Sequence, residues 1–110
     1  MNVEELRDYV LQKPVVTEGF PFGEDTLVFK VKDKVFLLVG LDASPLQFNV
    51  KCDPDKAIEL REEYPMAVLP GYHMNKKHWN TIIVDGTLSN RQLKEMLEHS
   101  YALVARLKIN

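Results

Sequence analysis

The sequence predicts an α+β domain in which helices cover one face of an antiparallel sheet, and three patterns carry that expectation. Leu46, Phe48, Val50 and Cys52 alternate with Gln47, Asn49 and Lys51, the period of a strand with one buried and one open face. Two apolar runs, Thr26 to Val31 and Lys34 to Val39, are separated only by Lys32-Asp33, and so short a gap predicts an antiparallel hairpin. Behind Ser89, the residues Leu93, Leu97, Ser100, Val104 and Leu107 recur at helical spacing, widened by Met96 and Leu103. They give a long helix one apolar stripe with which to cross the sheet.

The remaining elements follow in order. Asn2 to Leu11 reads as a helix. Asn2 is a capping residue, Glu5 stands three positions on, and Glu4 and Glu5 place negative charge in the first turn. Val3, Leu6 and Val10 share its apolar face, and Pro14 closes it, biasing Lys13 toward extended backbone. Gly19-Phe20-Pro21-Phe22-Gly23 is a turn-rich aromatic segment. In the hairpin, Asp33 suits a left-handed turn position. Leu41 to Pro45 is a loop. Asp53-Pro54 opens a second helix, Asp as the cap and Pro at the first helical position. Ala57, Ile58, Leu60 and Tyr64 supply its buried side, and Pro65 stops it. Met66 to Leu69 reads as a short extended piece, Pro70-Gly71 as a turn, Asn80 to Val84 as a strand and Asp85-Gly86 as a turn. Ser89 and Gln92 form a capping box for the last helix. No repeat and no linker divides residues 1–110, so one domain is expected.

Composition narrows the function classes. At 110 residues and 45% hydrophobic, the chain is long enough and apolar enough for a real core. Cys52 is the only cysteine, so it forms no internal disulfide and builds no thiolate cage, which suits a reducing compartment. Neither a signal peptide nor an apolar run of membrane-crossing length is apparent, and the expected location is the cytoplasm. The formal net charge is -2. Nucleic-acid binders gain affinity by neutralising phosphates with Lys and Arg, so any polyanion site here must be a local patch.

The stretch from Tyr72 to Trp79, reading YHMNKKHW, is the richest in chemistry. Lys76 and Lys77 suit phosphates, while Trp79, assisted by Tyr72, offers a flat surface for a base or planar ligand. His73 and Asn75 suit phosphates or base edges. The open side of the 46–52 strand adds Asn49 and Lys51. Each also has a structural role open to it: Trp79 as a core anchor, His73 and His78 as partners for loop backbone, and Lys76-Lys77 as a solvated pair. Cys52 reads as a buried small hydrophobe, and Ser100 and Tyr101 as helix-packing residues.

Other chemistries have little to stand on. His73 and His78 are five apart, unlike a helical zinc pair, so neither a metal nor another cofactor is expected. A Cys52–His nucleophile pair would need a thiol that its strand points toward the core. No phosphate-cradling glycine loop occurs, and Glu62-Glu63 reads as a solvated helix face. No catalytic residue is nominated, and an enzyme is the less expected class.

Several segments together resemble the MmcQ/YjbR-like family across nearly the whole chain. They are Lys13-Pro14, Pro21-Phe22-Gly23, Val28-Phe29-Lys30-Val31, Lys51-Cys52-Asp53-Pro54, Leu60-Arg61-Glu62, the run from Pro70 to Trp79, Ser100-Tyr101 and Leu103-Val104. The resemblance implies a CyaY-like α+β fold and a DNA-binding role, with paired loops or hairpins as wings. It implies weight on Lys13, Lys51, His73, Asn75, Lys76, His78 and Trp79, with Arg61 either fixing the polar loop or joining the same face. Lys32-Asp33 departs from the glycine that relatives commonly carry at the hairpin turn. The CyaY-like fold also brings frataxin-like iron binding to mind, but Glu4, Glu5 and Asp8 make only a thin acidic ridge.

The leading expectation is therefore a monomeric DNA-binding protein using a local basic and aromatic patch: Lys13, Asn49, Lys51, Arg61, Tyr72, His73, Asn75, Lys76, Lys77, His78 and Trp79. The alternatives are a protein-interaction or regulatory domain that binds no nucleic acid, and a small-anion binder or enzyme using His73 or His78.

Overall fold

The computed structural model describes residues 1–71 and 74–106. Leu107, the last residue of the predicted stripe, lies outside them. The element order is α1 (Val3–Leu11), β1 (Val16–Gly19), β2 (Thr26–Val31), β3 (Lys34–Gly40), β4 (Leu46–Lys51), α2 (Pro54–Glu63), β5 (Val68–Pro70), β6 (Trp79–Val84) and α3 (Asn90–Ala105). The strands form one six-stranded antiparallel sheet in the order β1-β2-β3-β4-β6-β5. The helices pack on one face of it.

The helix starts follow their caps. Asn2 accepts the amide of Glu5, Asp53 that of Asp55 with Pro54 behind it, and Ser89 that of Gln92. The Gln92 side chain returns the bond to the Ser89 amide at 2.8 Å. Each cap satisfies an amide that the first helical turn leaves unpaired.

The core lies between α1, α3 and the sheet. Phe29, Phe36 and Phe48 are fully buried there with Leu6, Leu37, Leu93 and Leu97. A bulge admits the second of these rings: Phe29 pairs with Leu37 and Lys30 with Val35, and the register skips Phe36. Phe36 and Leu37 both enter the core as a result. The paired ladder of β3 and β4 ends at Leu37 and Val50. Beyond it the Ser100 hydroxyl donates to Phe36 O at 2.5 Å and accepts from Lys51 N at 2.9 Å. One buried hydroxyl thereby bolts α3 to two strands and satisfies two backbone groups. Tyr101 packs edge-on against Phe36 and donates to Pro14 O at 2.7 Å.

The structure adds one strand and corrects three local expectations. The segment before the aromatic turn is not merely connecting chain: β1 runs over Val16–Gly19, paired with β2 from Val31 to Val28. The short extended piece is β5, Val68–Pro70, so Pro70 ends a strand rather than opening a turn. Ile58 is half exposed, because the buried stripe of α2 runs Ala57, Leu60, Arg61, Tyr64 and Ile58 lies off it. Leu103 likewise sits at the rim, 37% exposed, outside the narrower stripe of α3. The hairpin turn forms without glycine: Lys32 and Asp33 both take positive φ, 49° and 68°. That is the left-handed pair a two-residue hairpin needs.

Candidate nucleic-acid interface

The register of β4 against β6 sorts the candidate side chains by face. Phe48 and Val50 on β4 and Ile82 on β6 enter the core. Between them, Gln47 pairs with Ile83, Asn49 with Thr81 and Lys51 with Trp79, all directed to the face that no helix covers. Lys30 joins that face from β2, since its neighbours Phe29 and Val31 are core residues. The Thr81 hydroxyl donates to Asn49 Oδ1 at 2.5 Å, a cross-strand tie on the open face.

Charge is divided between the two faces. Glu18 is the only carboxylate in any strand, and it turns to the helix side to meet Arg7 of α1 at 2.7 Å. Nine of the 16 acidic residues ride on the helices. Lys30 and Lys51 are then the charged residues on the open side of the strands. A net charge of -2 therefore coexists with strands whose open side carries lysines and no carboxylate, although Asp33 of the hairpin turn lines the same depression as Lys30.

The polar loop before β6 leads directly into Trp79, and its backbone is firmly held. Asn75 O accepts from His78 N at 3.1 Å and Trp79 N at 3.0 Å, and Asn75 Oδ1 accepts from Lys77 N at 3.0 Å. His78 O accepts from Cys52 N at 2.7 Å, carrying the β4–β6 pairing one step further. Arg61 reaches over from α2. Its Nε donates to Asn80 Oδ1 at 2.7 Å, and its Nη2 donates to Trp79 O at 3.1 Å and to Lys76 O. Of the two roles open to Arg61, the geometry is that of fixing the loop. Lys76 and Lys77 are exposed on it, and His78 is half-buried.

Trp79 is half-buried, between a core anchor and a free platform. Gly71 presses against it: Gly71 N donates to Trp79 O at 2.8 Å, and a Cβ at Gly71 would lie 2.7 Å from Trp79 Cβ. Only glycine permits that approach without a shift of backbone.

Thus Asn49, Lys51 and Trp79 share the open face, and Asn75, Lys76, Lys77 and His78 follow on the loop that leads into Trp79, tied down by Arg61. Tyr72 and His73 lie outside the described residues. Lys13 is not brought to this face. It sits in the helix layer, paired with Glu98, its Nζ 5.2 Å from the ring centres of both Tyr9 and Tyr101. Burial opposes ionisation of Glu98, but hydrogen bonds from Lys13 and Tyr9 outweigh it and hold the carboxyl below its usual range. Burial and the Glu98 bond push the Tyr9 hydroxyl up to about 12.

Sequence reasoning missed Lys30, Thr81 and His99. Pairing alone brings Lys30 and Thr81 to the open face. His99, three positions past Met96 on α3, stood one step off the predicted stripe; its Nε2 accepts from Asp53 N at 3.2 Å. Cys52 is buried, and that burial raises its thiol pKa, with Lys56 opposing. Its burial disfavours the reactive thiolate. No group of three or more His, Cys, Asp or Glu among the described residues is placed to hold a metal ion.

Fold and site together define a helix-backed antiparallel sheet with one open, lysine-bearing face. The chain belongs to the YjbR family, whose model matches residues 11–103. It is similar to the uncharacterized protein YbdF of Escherichia coli O157:H7, 35% identical over 101 residues, 92% of this chain and 82% of that one. It is 29% identical over 107 residues to the uncharacterized protein YjbR of Escherichia coli K12, covering 97% and 90%. The crystal structure of Deinococcus radiodurans DR2400, domain DUF419, superposes with a TM-score of 0.92 at 40% identity, over 99% of this chain and 82% of that one. A Pseudomonas syringae protein of known crystal structure gives a TM-score of 0.76 at 26% identity, over 94% and 99%.

Proposed function

We propose that this protein binds DNA through the open face of its sheet and the loop beside it. The division of charge along the strands carries this reading: Lys30 and Lys51 stand on the open face, and the one strand carboxylate, Glu18, turns to the helix side. Lys51, Lys76 and Lys77, with Lys30 further along, form a track for phosphates. Trp79 flanks the track and offers part of its ring to a base, with half-buried Asn49 as a polar neighbour held by buried Thr81. Arg61 holds the loop in shape, which lowers the entropy cost of presenting two long lysine side chains. The role is binding rather than catalysis, by a monomer. No described helix is long and apolar enough to cross a membrane. The single buried thiol suits work in the cytoplasm.

The test is a fluorescence-anisotropy titration with labelled single- and double-stranded DNA, repeated across salt. Affinity should fall steeply as salt rises. The double variant Lys76→Ala/Lys77→Ala should weaken binding and flatten the salt slope, by about 0.9 per lost phosphate contact on duplex and about 0.7 on single strands. Absence of binding at low salt, or binding indifferent to these lysines and to Lys51→Ala, would refute it.

A protein partner is the second reading. It is favoured by Phe20 and Phe22, 52% and 70% exposed beside the free edge of β1. Binding of this kind would be insensitive to the lysines and lost on Phe22→Ser.

A further inference from the structure

A cleft of about 140 Å³ opens on the opposite side of the molecule, between α2 and α3. Its floor is apolar: Val50 and Ile82 from the sheet, Leu60 from α2 and Met96 from α3. The two helices pass in opposite directions here. Lys56, near the start of α2, lies by His99 near the end of α3, while Tyr64 after α2 accepts from Gln92 near the start of α3 at 2.8 Å. The polar rim is sorted by that arrangement.

One end is basic. Lys56 makes no ion pair among the described residues, and its charge bears on both His99 and Cys52. The His99 Nε2 is occupied by the Asp53 amide, so the neutral ring carries its proton on Nδ1 as a donor. The other end is acidic. Glu63 and Glu95 both flank Tyr64, and Glu95 has only an exposed arginine, Arg91, as its ion-pair partner at 3.3 Å. Seven positions separate Lys56 from Glu63, a span of about 10 Å along the helix.

We propose that this cleft binds a small zwitterion, its carboxylate at Lys56 and His99, its ammonium at Glu63 and Glu95, and a short aliphatic stem over Leu60 and Met96. The volume suits such a stem, because a cavity of about 150 Å³ takes up a molecule of benzene size. The charged ends then lie at the mouths of the cleft, where they keep part of their hydration. Apolar walls with a few convergent polar groups are the usual make-up of a small-molecule site.

Amide-resolved NMR titration of the whole chain with 5-aminopentanoate tests it. Saturable shifts are expected at Lys56, Leu60, Glu95 and His99, with a dissociation constant of about 1 mM. Pentanoate and pentylamine each keep one charge and should bind about tenfold more weakly. Lys56→Gln and Glu95→Gln alter exposed side chains, and retained spectral dispersion will show that both variants fold. Each should weaken the zwitterion about tenfold and leave DNA titrations unchanged. No saturable shift at about 50 mM would overturn the proposal. So would equal affinity for pentanoate, or shifts indifferent to both substitutions.

Discussion

Arg61 Nε donates to Asn80 Oδ1 at 2.7 Å, and the same guanidinium reaches the carbonyls of Lys76 and Trp79. One side chain on α2 thus sets the position of β6 and of the lysine-bearing loop that precedes it. A planar fork with five donors can serve three acceptors at once, which a lysine cannot.

Arg61→Ala should therefore destabilise the fold and loosen the loop together. Asn80 is buried at 1% exposure, and its side-chain oxygen would be left without this donor. Such a loss costs about 1–3 kcal/mol. Urea unfolding should show it, and hydrogen exchange should rise selectively at residues 75–79. Arg61→Lys should recover only part of the loss. A change within about 0.5 kcal/mol, the scatter of ordinary surface substitutions, would mean the clasp is dispensable.

Val15 has a φ of 60° in the turn between α1 and β1, although it is β-branched and 65% exposed. A left-handed backbone brings Cβ against the carbonyl and costs about 1–2 kcal/mol for an ordinary L-residue. Val15→Gly removes that strain and little packing, at the expense of a more flexible unfolded chain. The expected net result is stabilisation by up to about 1 kcal/mol, read as a higher midpoint in thermal and urea unfolding. A lower midpoint would show that the Val15 side chain contributes more than its strain costs.

His99 makes stability depend on pH. Burial first, and then the charge of Lys56, lower its pKa from the ordinary 6.5, with Asp53 partly opposing. Below 6.5 the unfolded chain takes up the proton more readily than the folded one, so stability rises with pH in that window. The contribution is complete above 6.5 and is lost as pH falls through the folded-state value. Protonating Nε2 also removes the acceptor for Asp53 N at the start of α2. Unfolding midpoints measured from neutral pH downward should fall less steeply in His99→Gln than in the parent. Parallel curves would exclude His99 as the titrating group.

Much of the fold was legible because the relevant signals are local. Leu46–Lys51 announces itself by alternation, Ser89 and Gln92 by hydrogen bonds across one helical turn, and Asp53-Pro54 by the geometry proline imposes. The hairpin bounds over Thr26–Val31 and Lys34–Gly40 agree with the sequence reading to within a residue. β1 was not legible. Val16–Gly19 has one apolar residue in four and becomes a strand because β2 offers it an edge to pair with.

Local pattern alone establishes the antiparallel sheet, the caps of its helices, the open side of β4 and the concentration of lysine and tryptophan before β6. Long-range packing places Lys51 across from Trp79, pairs Lys13 with Glu98 in the helix layer, and brings Lys56 and His99 to one end of a cleft. The difference is one of range. Periodicity and capping act over one turn or one strand, whereas cross-strand register and the crossing of two helices join residues tens of positions apart, and those are fixed by the packing of the whole core.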